Sequence, residues 1–218
     1  VALLKACGKK RDLHRGMIVH DIVSKKGLLA NIFVGSALLS MYAKCGDLIR
    51  AHEILDGILV RDVVSWNAMI SVYAQHGKNS ESILLYEAML NQGVMPNEVT
   101  YVSVLLACTN EAATIKGSHI HTQILAAGVK LNVFMATSLI NMYGKCGEIE
   151  NAKYVFDTLP FQNSFCWNTM IAAYSKHGYF DEAVHLFHRM QKKGFLPDIV
   201  TWNTFLSDQV QRGEDQIV

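Results

Sequence analysis

A 35-residue segment recurs 101 positions later, and this repetition constrains the fold more than any other feature of the chain. Residues 63–97 read VVSWNAMISVYAQHGKNSESILLYEAMLNQGVMPN, and residues 164–198 read SFCWNTMIAAYSKHGYFDEAVHLFHRMQKKGFLPD. The residues of the first segment that recur unchanged in the second are Trp66, Asn67, Met69, Ile70, Tyr73, His76, Gly77, Glu81, Leu85, Met89, Gly93 and Pro96. Such an internal period predicts a stack of similar units rather than a domain built around one core.

Each copy has the pattern of two short helices joined by a tight turn. Apolar residues recur at Trp66 and three, four and seven positions after it, which is the spacing of one helix face. His76-Gly77 is predicted to end this helix, because glycine readily adopts the left-handed conformation of a helix C-terminus. Asn79 and Ser80 are expected to cap a second helix. The buried stripe of that helix is predicted to be Ser82, Leu85, Tyr86 and Met89. One such pair cannot bury both stripes, so successive pairs are expected to stack into an all-α solenoid.

The composition suits a packed helical protein and gives no general attraction to nucleic acid. Apolar residues make up 50% of the chain, and only three residues are proline. No apolar run approaches the ~20 residues that cross a bilayer, so no membrane partner is predicted. The formal net charge is +1, so contact with a polyanion would depend on where individual lysines lie.

The internal matches divide the whole chain into successive units. Residues 1–31 match 98–132, 32–62 match 133–163, 63–97 match 164–198, and 199–218 follow the start of 164–198. The predicted organisation is a single solenoid over residues 1–218, in which the first unit is partial and the last is truncated. The chain is therefore expected to be a piece of a longer array, with any targeting segment outside it.

The order of the units and two local motifs point to a family. Units of 35, 35 and 31 residues alternate, the short units carry MYAKCG or MYGKCG, and WNAMI or WNTMI lies near the start of 63–97 and 164–198. This pattern closely resembles the plant pentatricopeptide repeat (PPR) family, in its PLS subclass of alternating motifs. In that scheme 63–97 and 164–198 are P-type, 1–31 and 98–132 are L-type, and 32–62 and 133–163 are S-type. Tetratricopeptide repeats have a similar period of about 34 residues, but their W-L-G-Y pattern is absent here.

The resemblance implies a right-handed α-solenoid that binds single-stranded RNA, one base per repeat. In this family the fifth and last residues of a unit face the base. The pairs that it implies here are Ser36 with Asp62, Asn67 with Asn97, Thr137 with Asn163, and Asn168 with Asp198, while Asn203 begins a further pair. The L-type units pair Val1 with Asn31 and Val102 with Asn132. Because valine cannot hydrogen-bond a base edge, these two units are expected to act as spacers or weak readers.

The hydrogen-bonding groups of the last residue of a unit predict a base preference by themselves, without the family resemblance. A carboxylate only accepts hydrogen bonds, so aspartate suits the ring N–H of guanine or uracil, whereas an amide can donate to the bare ring nitrogen of adenine or cytosine. The resemblance adds that serine or threonine at the fifth position goes with purines and asparagine with pyrimidines. The alternative is that these Asp and Asn residues only form turns or helix caps.

Two further sets of residues could contact RNA. The second residues of the units could stack on bases, or they could be interior packing between hairpins; they are Phe33, Val64, Phe134 and Phe165. Lysines that recur at the end of the first helices could contact phosphates, or they could be simply solvated; they are Lys9, Lys44, Lys145 and Lys176.

Nothing in the chain indicates catalysis, a metal site or a cofactor. Glu182, His185 and His188 form a fragment of a metal-like spacing, which favours a polar outer face when it stands alone. The zinc deaminase signature, H-x-E with P-C-x-x-C, does not occur. The cysteines are Cys7, Cys45, Cys108, Cys146 and Cys166. They form no CxxC motif and recur mostly in pairs 101 residues apart, which favours small packing residues over disulfides or zinc ligands.

The predicted function is sequence-specific binding of single-stranded RNA. The resemblance implies the recognition arm of an RNA editing or processing factor in a mitochondrion or chloroplast, with editing-complex or ribosomal proteins as further partners. Two alternatives stay open at this point. The array could be a structural component of an organellar ribosome or other complex, or it could be a helical scaffold that binds proteins.

Overall fold

The computed structural model describes residues 1–58, 61–109, 113–199 and 201–204, and these residues form helices joined by short turns. The α-helices are α1 (Ala2–Lys10), α2 (Leu13–Lys25), α3 (Ile32–Cys45), α4 (Leu48–Gly57), α5 (Val63–Gln75), α6 (Asn79–Asn91), α7 (Glu98–Ala107), α8 (Thr114–Ala126), α9 (Val133–Lys145), α10 (Ile149–Thr158), α11 (Ser164–Lys176) and α12 (Phe180–Lys192). A 3₁₀ turn covers Leu28–Ala30, and residues 199 and 201–204 are helical. No strand occurs in the described ranges, so the predicted all-α fold class is confirmed.

The helices pack as a row of hairpins within each of two compact units, Val1–Ala107 and Cys108–Val218. In the first unit α1 packs on α2, α3 on α4 and α5 on α6, while α1, α3, α5 and α7 lie side by side in chain order. In the second unit α9 packs on α10 and α11 on α12, while α9 lies beside α11 and also contacts α8. Within each unit, the stacking of helix-turn-helix pairs is that of an α-solenoid.

The turn between the two helices of a hairpin is tighter than the sequence pattern predicts. Gly77 has a φ of 70°, in the left-handed region, so the prediction that His76-Gly77 ends α5 is confirmed. The N–H of Lys78 returns to the carbonyl of Tyr73 at 2.9 Å and closes the turn. Lys78 is then already the N-cap of α6, and Asn79 is its first helical residue. The prediction that Asn79 and Ser80 cap α6 is therefore wrong, because the turn closes one residue too early for them.

In the hairpin of α5 and α6, the first helix is buried on most sides and the second helix is buried on one face. Trp66, Met69 and Ile70 of α5 are at most 1% exposed, because α3, α6 and α7 all pack around this helix. In α6 the predicted stripe of Ser82, Tyr86 and Met89 is buried, whereas Leu85 is only half-buried. The first helices therefore form the core of each row.

Histidine–tyrosine hydrogen bonds connect successive hairpins. The Nδ1 atom of His20 in α2 lies 2.7 Å from the hydroxyl of Tyr42 in α3. The same contact recurs in the second unit, where His121 Nδ1 lies 3.0 Å from the hydroxyl of Tyr143. In each case the second helix of one hairpin is tied to the first helix of the next. Burial lowers the pKa of His121 and so favours the neutral ring in this hydrogen bond, in which the tautomer decides whether Nδ1 donates or accepts.

We expect the stability of the second unit to decrease as the pH is lowered, because of His121. Its folded-state pKa lies below the ordinary value of about 6.5, so its contribution to stability is fully present above that pH. As the pH falls, the unfolded chain takes up the proton first and that contribution is lost. The free energy of unfolding, measured by urea denaturation between pH 7.5 and 5, should fall less steeply for His121→Gln. His188→Gln, at an exposed histidine of the same unit, is the matched substitution for comparison. Equal slopes for wild type and His121→Gln would contradict this assignment.

Within the ranges described above, no helix is long and apolar enough to cross a membrane.

Candidate nucleic-acid interface

The last residues of the predicted units lie at the starts of the first helices and cap them. Asp62 is the N-cap of α5, and its Oδ1 accepts a hydrogen bond of 2.8 Å from the N–H of Ser65. Asn163 is the N-cap of α11 and accepts from the N–H of Cys166 at 2.9 Å. Both residues therefore do cap helices, as the alternative interpretation expected, and the caps by themselves do not test a further role in base reading. A cap uses one oxygen, so the rest of each side chain can still take part in another contact.

The side chains of the fifth residues are buried and, in three of the four pairs, bond to the last residues. Asn67 Nδ2 donates to Asn97 Oδ1 at 3.0 Å, and Asn168 Nδ2 donates to Asp198 Oδ2 at 3.0 Å. The contact between Ser36 Oγ and Asp62 Oδ1 is longer, at 3.4 Å. The structure thus brings together residues that are about 30 positions apart in the sequence.

The fourth pair is arranged differently. Thr137 Oγ1 donates to the carbonyl of Val133 at 2.6 Å and lies 3.0 Å from the Sγ of Cys166. Within the described residues, no hydrogen bond joins Thr137 to Asn163. The exposed amide of Asn163 is therefore oriented by its cap bond to Cys166.

A hydroxyl at the third position of the following unit completes three of the four pairs, and these hydroxyl residues are not among the predicted site residues. Ser65 Oγ lies 2.8 Å from Ser36 Oγ and donates to Asp62 at 2.7 Å. Thr100 Oγ1 lies 2.6 Å from Asn67 Oδ1, and Thr201 Oγ1 lies 2.6 Å from Asn168 Oδ1. Ser65, Thr100 and Thr201 are all fully buried. Their spacing of three residues from the cap is that of the capping box, with a hydroxyl in place of its Glu or Gln, and this spacing is the signal in the sequence that could have revealed them.

The second residues of the units are exposed, so the interpretation of these side chains as interior packing is wrong. Phe33 is 74% exposed, Phe134 70%, Phe165 68% and Val64 56%. Val99, the second residue of the segment 98–132, was not singled out from the sequence and is also 53% exposed. These apolar side chains stand in the first turns of the first helices without a packing partner that covers them.

A cavity in the second unit brings one complete set of predicted residues together. It has a volume of about 280 Å³ and lies between α9 and α11. Its lining includes Phe165, Asn168, Asp198, Lys145 and Lys176. The exposed ring, the fifth and last residues and both lysines therefore share one groove. The volume is slightly below the ~300–1,000 Å³ of drug-sized ligand pockets, which suits a small planar group.

The two lysines of this groove sit where the helices end. Lys176 Nζ donates to the backbone carbonyl of Lys145 at 3.2 Å, at the C-terminus of α9. The backbones approach closely nearby, because a Cβ on Gly144 would lie only 2.6 Å from the Cβ of Ala173. In the first unit Lys9 and Lys44 occupy the last turns of α1 and α3 and are exposed.

The remaining predicted readers differ in their exposure. Asn203 is exposed within the helical residues 201–204. Val1 is 50% exposed, and Val102 is half-buried.

A second cavity in the same unit has a different character. It has a volume of about 390 Å³, lies among α10, α11 and α12, and is lined by side chains of both charges, including Asp157, Glu182, His185 and Arg189. It contains part of the metal-like spacing noted in the sequence. Across the described residues, no group of three or more His, Cys, Asp or Glu side chains could hold a metal ion.

The cysteines are free thiols. Cys146 Sγ donates to the backbone carbonyl of Cys108 at 3.3 Å. Burial raises the pKa of Cys108 to about 12, so this thiol stays protonated and packs as a small apolar group.

Sequence models of known families match much of the chain. The PPR repeat family matches residues 61–110 and 162–208, and the PPR repeat matches residues 36–63 and 134–160. The chain belongs to the pentatricopeptide repeat family.

Other PPR proteins are similar over nearly the whole chain. A chloroplastic PPR-containing protein of Arabidopsis thaliana is 38% identical over 207 residues, which is 95% of this chain and 34% of the relative. A second Arabidopsis thaliana PPR-containing protein is 39% identical over 209 residues, 95% of this chain and 25% of the relative. The chain therefore spans only a quarter to a third of the length of these relatives.

Solved PPR structures share the fold. The crystal structure of maize PPR10 matches this chain with a TM-score of 0.72 at 22% sequence identity. The match covers 97% of this chain and 31% of PPR10. PPR10 in complex with an 18-nucleotide psaJ RNA element has a TM-score of 0.76 at 19% identity, covering 89% of this chain and 30% of PPR10. The PPR domain of Arabidopsis thaliana protein-only RNase P 1, in complex with tRNA, has a TM-score of 0.62 at 14% identity, covering 78% of this chain and 94% of that domain.

Asp62 accepts hydrogen bonds from both the backbone N–H and the hydroxyl of Ser65, and the contribution of these bonds to stability can be measured. Asp62→Ala removes the acceptor of the Ser65 N–H and Ser65 hydroxyl and should lower the free energy of unfolding by ~1 kcal/mol, the usual cost of losing an N-cap. Asp62→Asn keeps an oxygen in this place, so we expect a much smaller loss. Urea denaturation of the three proteins measures the difference. If both substitutions lower the stability equally, the capping role is wrong.

Proposed function

We propose that this PPR array binds single-stranded RNA in a sequence-specific manner and reads one base per repeat. The observation that carries the proposal is the groove between α9 and α11, where an exposed aromatic ring, a polar pair and two lysines line one cavity. The similarity to PPR10, whose structure was solved with an RNA element, supports the same conclusion. Catalysis is not part of the proposed function of this segment.

The three groups in the groove have complementary tasks. An exposed ring such as Phe165 offers a face on which a base can stack, and such stacking contributes ~1–3 kcal/mol per base. The fifth and last residues present hydrogen-bonding atoms to the edge of that base. The lysine ammonium groups offset phosphate charge, which the net charge of +1 does not do by itself.

We further propose that the units follow the PLS scheme of alternating 35-, 35- and 31-residue motifs, with the boundaries given above. The start of α5 at Val63, of α9 at Val133 and of α11 at Ser164 supports this division. Taken in chain order, the units are then expected to bind an RNA that runs from 5′ to 3′. The first bases are guanine at Ser36/Asp62 and cytosine or uracil at Asn67/Asn97. An unread base follows at Val102/Asn132, then adenine at Thr137/Asn163 and uracil at Asn168/Asp198.

The whole protein is proposed to be an organellar RNA editing or RNA processing factor, with this segment as its recognition arm. The chloroplastic names of two Arabidopsis relatives support an organellar location, in a chloroplast or a mitochondrion. Editing-complex or ribosomal proteins are the proposed further partners.

Exchanging the last residue tests the base readout directly. Asn163→Asp keeps the oxygen that caps α11 but removes the amide donor. The adenine ring nitrogen then loses its partner, and the ring N–H of guanine gains one. The preference at that position should move from adenine toward guanine by ~1–3 kcal/mol, the cost of one unsatisfied buried hydrogen-bonding group. Competition binding with four RNAs that differ only there measures it.

The chain offers a reciprocal control for this exchange. Asp62→Asn also keeps a capping oxygen and should move the preference at the Ser36 position from guanine toward adenine, without changing the ranking at the Thr137 position. A duplex of the same sequence should compete poorly, because its bases are already paired. If wild type and both variants rank all four bases alike, or if the duplex binds equally well, shape binding or a protein scaffold becomes the better explanation.

The lysines should make binding depend on salt. Replacing Lys44, Lys145 and Lys176 with alanine should flatten the dependence of log affinity on log salt concentration, because fewer counterions are released from phosphate. The slope is measured by fluorescence anisotropy of a labelled RNA at salt concentrations between ~50 and ~200 mM. Lys192 and Lys193, exposed at the end of α12, provide the matched control, and their replacement should leave the slope unchanged. An unchanged slope in the triple variant would show that these lysines do not meet phosphate.

A further inference from the structure

Histidine–tyrosine contacts close three junctions between successive hairpins in the described part of the chain. Two of them are those of Tyr42 and Tyr143. In the third, His52 Nδ1 of α4 lies 3.2 Å from the hydroxyl of Tyr73 in α5. In each case the histidine belongs to the second helix of the preceding hairpin and stands 21 or 22 positions before the tyrosine. The contact is therefore a repeated feature of the array.

A fourth tyrosine of this series lacks the histidine. Tyr174 of α11 follows Tyr73 by 101 residues, but the position that corresponds to His52 is Lys153. Lys153 is exposed, and the hydroxyl of Tyr174 makes no hydrogen bond to another described residue. The side chain of Tyr174 is nevertheless only 7% exposed. A hydroxyl in such a place is costly unless water or a ligand reaches it.

The cavity of about 390 Å³ among α10, α11 and α12 lies at this junction. Lys153 and Tyr174 both line it, and Phe156, Met170 and Leu186 supply apolar walls. It shares no lining residue with the groove between α9 and α11. Where the other junctions hold an imidazole, this one holds an open space that is large enough for a side chain of another molecule.

Negative charge predominates around the hydroxyl of Tyr174. Asp157 and Arg189 face each other at 3.5 Å, so their charges largely offset one another. Glu182 also lines the cavity and forms no ion pair with another described residue. Burial raises the pKa of Tyr174, and three carboxylates raise it further, those of Asp157, Glu150 and Glu182, whereas Arg189 lowers it. The surroundings of the hydroxyl therefore favour a cation.

A guanidinium group suits this space better than an anion or an ammonium ion. It is planar and close in size to the imidazole of the other junctions, and its N–H groups only donate. The unpaired acceptors at the cavity are the hydroxyl oxygen of Tyr174 and the carboxylate of Glu182, which would repel an anion. Guanidinium groups also pack on aromatic rings in this fold, since Arg61 lies 5.4 Å from the ring centroid of Trp66.

The surface beside the cavity indicates a protein as the source of this group. Tyr154, next to Lys153 on α10, is 64% exposed. Tyrosine and arginine are both enriched at protein–protein interfaces. We propose that this cavity binds an arginine side chain of a protein partner, which donates hydrogen bonds to the hydroxyl of Tyr174 and to the carboxylate of Glu182. The site is separate from the proposed RNA groove and does not rest on RNA binding.

The test is an NMR titration of the whole chain with an acetylated and amidated Gly-Arg-Gly peptide. One side chain makes few contacts, so we expect a Kd of ~1 mM or weaker. Backbone amide signals of the cavity residues in α10, α11 and α12 should shift. A peptide with citrulline in place of arginine keeps the shape without the charge and should cause no such shifts. The lysine peptide should bind more weakly than the arginine peptide, because an ammonium group cannot bind in a planar, bidentate manner.

Two substitutions at one position should act in opposite directions. Lys153→His supplies the imidazole of the other junctions and should abolish peptide binding. Lys153→Gln removes a charge that opposes the cation and should tighten binding by about twofold. Tyr174→Phe should weaken binding by about fivefold through loss of the hydroxyl, and Glu182→Gln by about threefold. Glu81→Gln is the matched control, since Glu81 is the equivalent residue beside the closed junction of the first unit and should leave binding unchanged.

The inference is overturned if the citrulline or lysine peptide binds as well as the arginine peptide. Retained binding in Lys153→His would also overturn it, as would weaker binding in Lys153→Gln, which would indicate an anion site. The amide spectrum of each variant shows whether it is folded. If Lys153→His does not fold, Tyr174→Phe decides, and an unchanged Kd in that variant would exclude the site. An absence of shifts at the cavity residues at ~20 mM peptide, well above the expected Kd, would exclude it as well.

Discussion

The whole arrangement depends on polar side chains that are buried in the middle of apolar helices. A first helix is enclosed by its own partner and by the first helices on either side, so a serine, threonine or asparagine at its fifth position cannot rely on water. Its hydrogen bonds must come from the protein. At Ser36, Asn67 and Asn168 they come from the residue that caps the next first helix and from the hydroxyl three residues later. The contact that satisfies a buried group also fixes the distance between neighbouring hairpins.

Much of this fold could be predicted from the sequence, because internal matches show where each repeated unit begins and ends. The period of 101 residues, the apolar spacing after Trp66 and the glycine at position 77 each predict a feature that the structure contains. The cap of α6 was not predictable in the same way. Lys78 has no obvious capping side chain, and its role follows from the backbone bond to Tyr73 that closes the turn.

The candidate site was predictable in its outline but not in its connections. The family resemblance pointed to Asn67 and Asn97, yet only the packing of α7 on α5 shows that Thr100 lies between them. The exposure of Phe33 was also undecidable from sequence, since an apolar residue in the first turn of a helix suits a core as well as a groove. Sequence patterns of this kind describe the faces of one helix at a time. They do not show which residues of neighbouring helices are in contact.

In the proposed base readout, Asp62 and Asn163 each serve both the fold and a ligand. Each uses one oxygen to cap a helix, and aspartate and asparagine are nearly equivalent in that role. The groups that remain differ fully in hydrogen bonding, since one only accepts and the other also donates. Exchange between these two residues is therefore expected to be close to neutral for folding. In the proposed base readout the same exchange changes the preferred base, so the target could change while the stability stays the same.

The exposed side chains at the second positions have a consequence for the protein in the absence of a ligand. Phe33 and Val64 in the first unit, and Phe134 and Phe165 in the second, present apolar surface to water at the same helix starts in each row. Repeated along an array, such side chains form a stripe that favours self-association. A ligand that stacked on these side chains would cover that surface and reduce the tendency to self-associate.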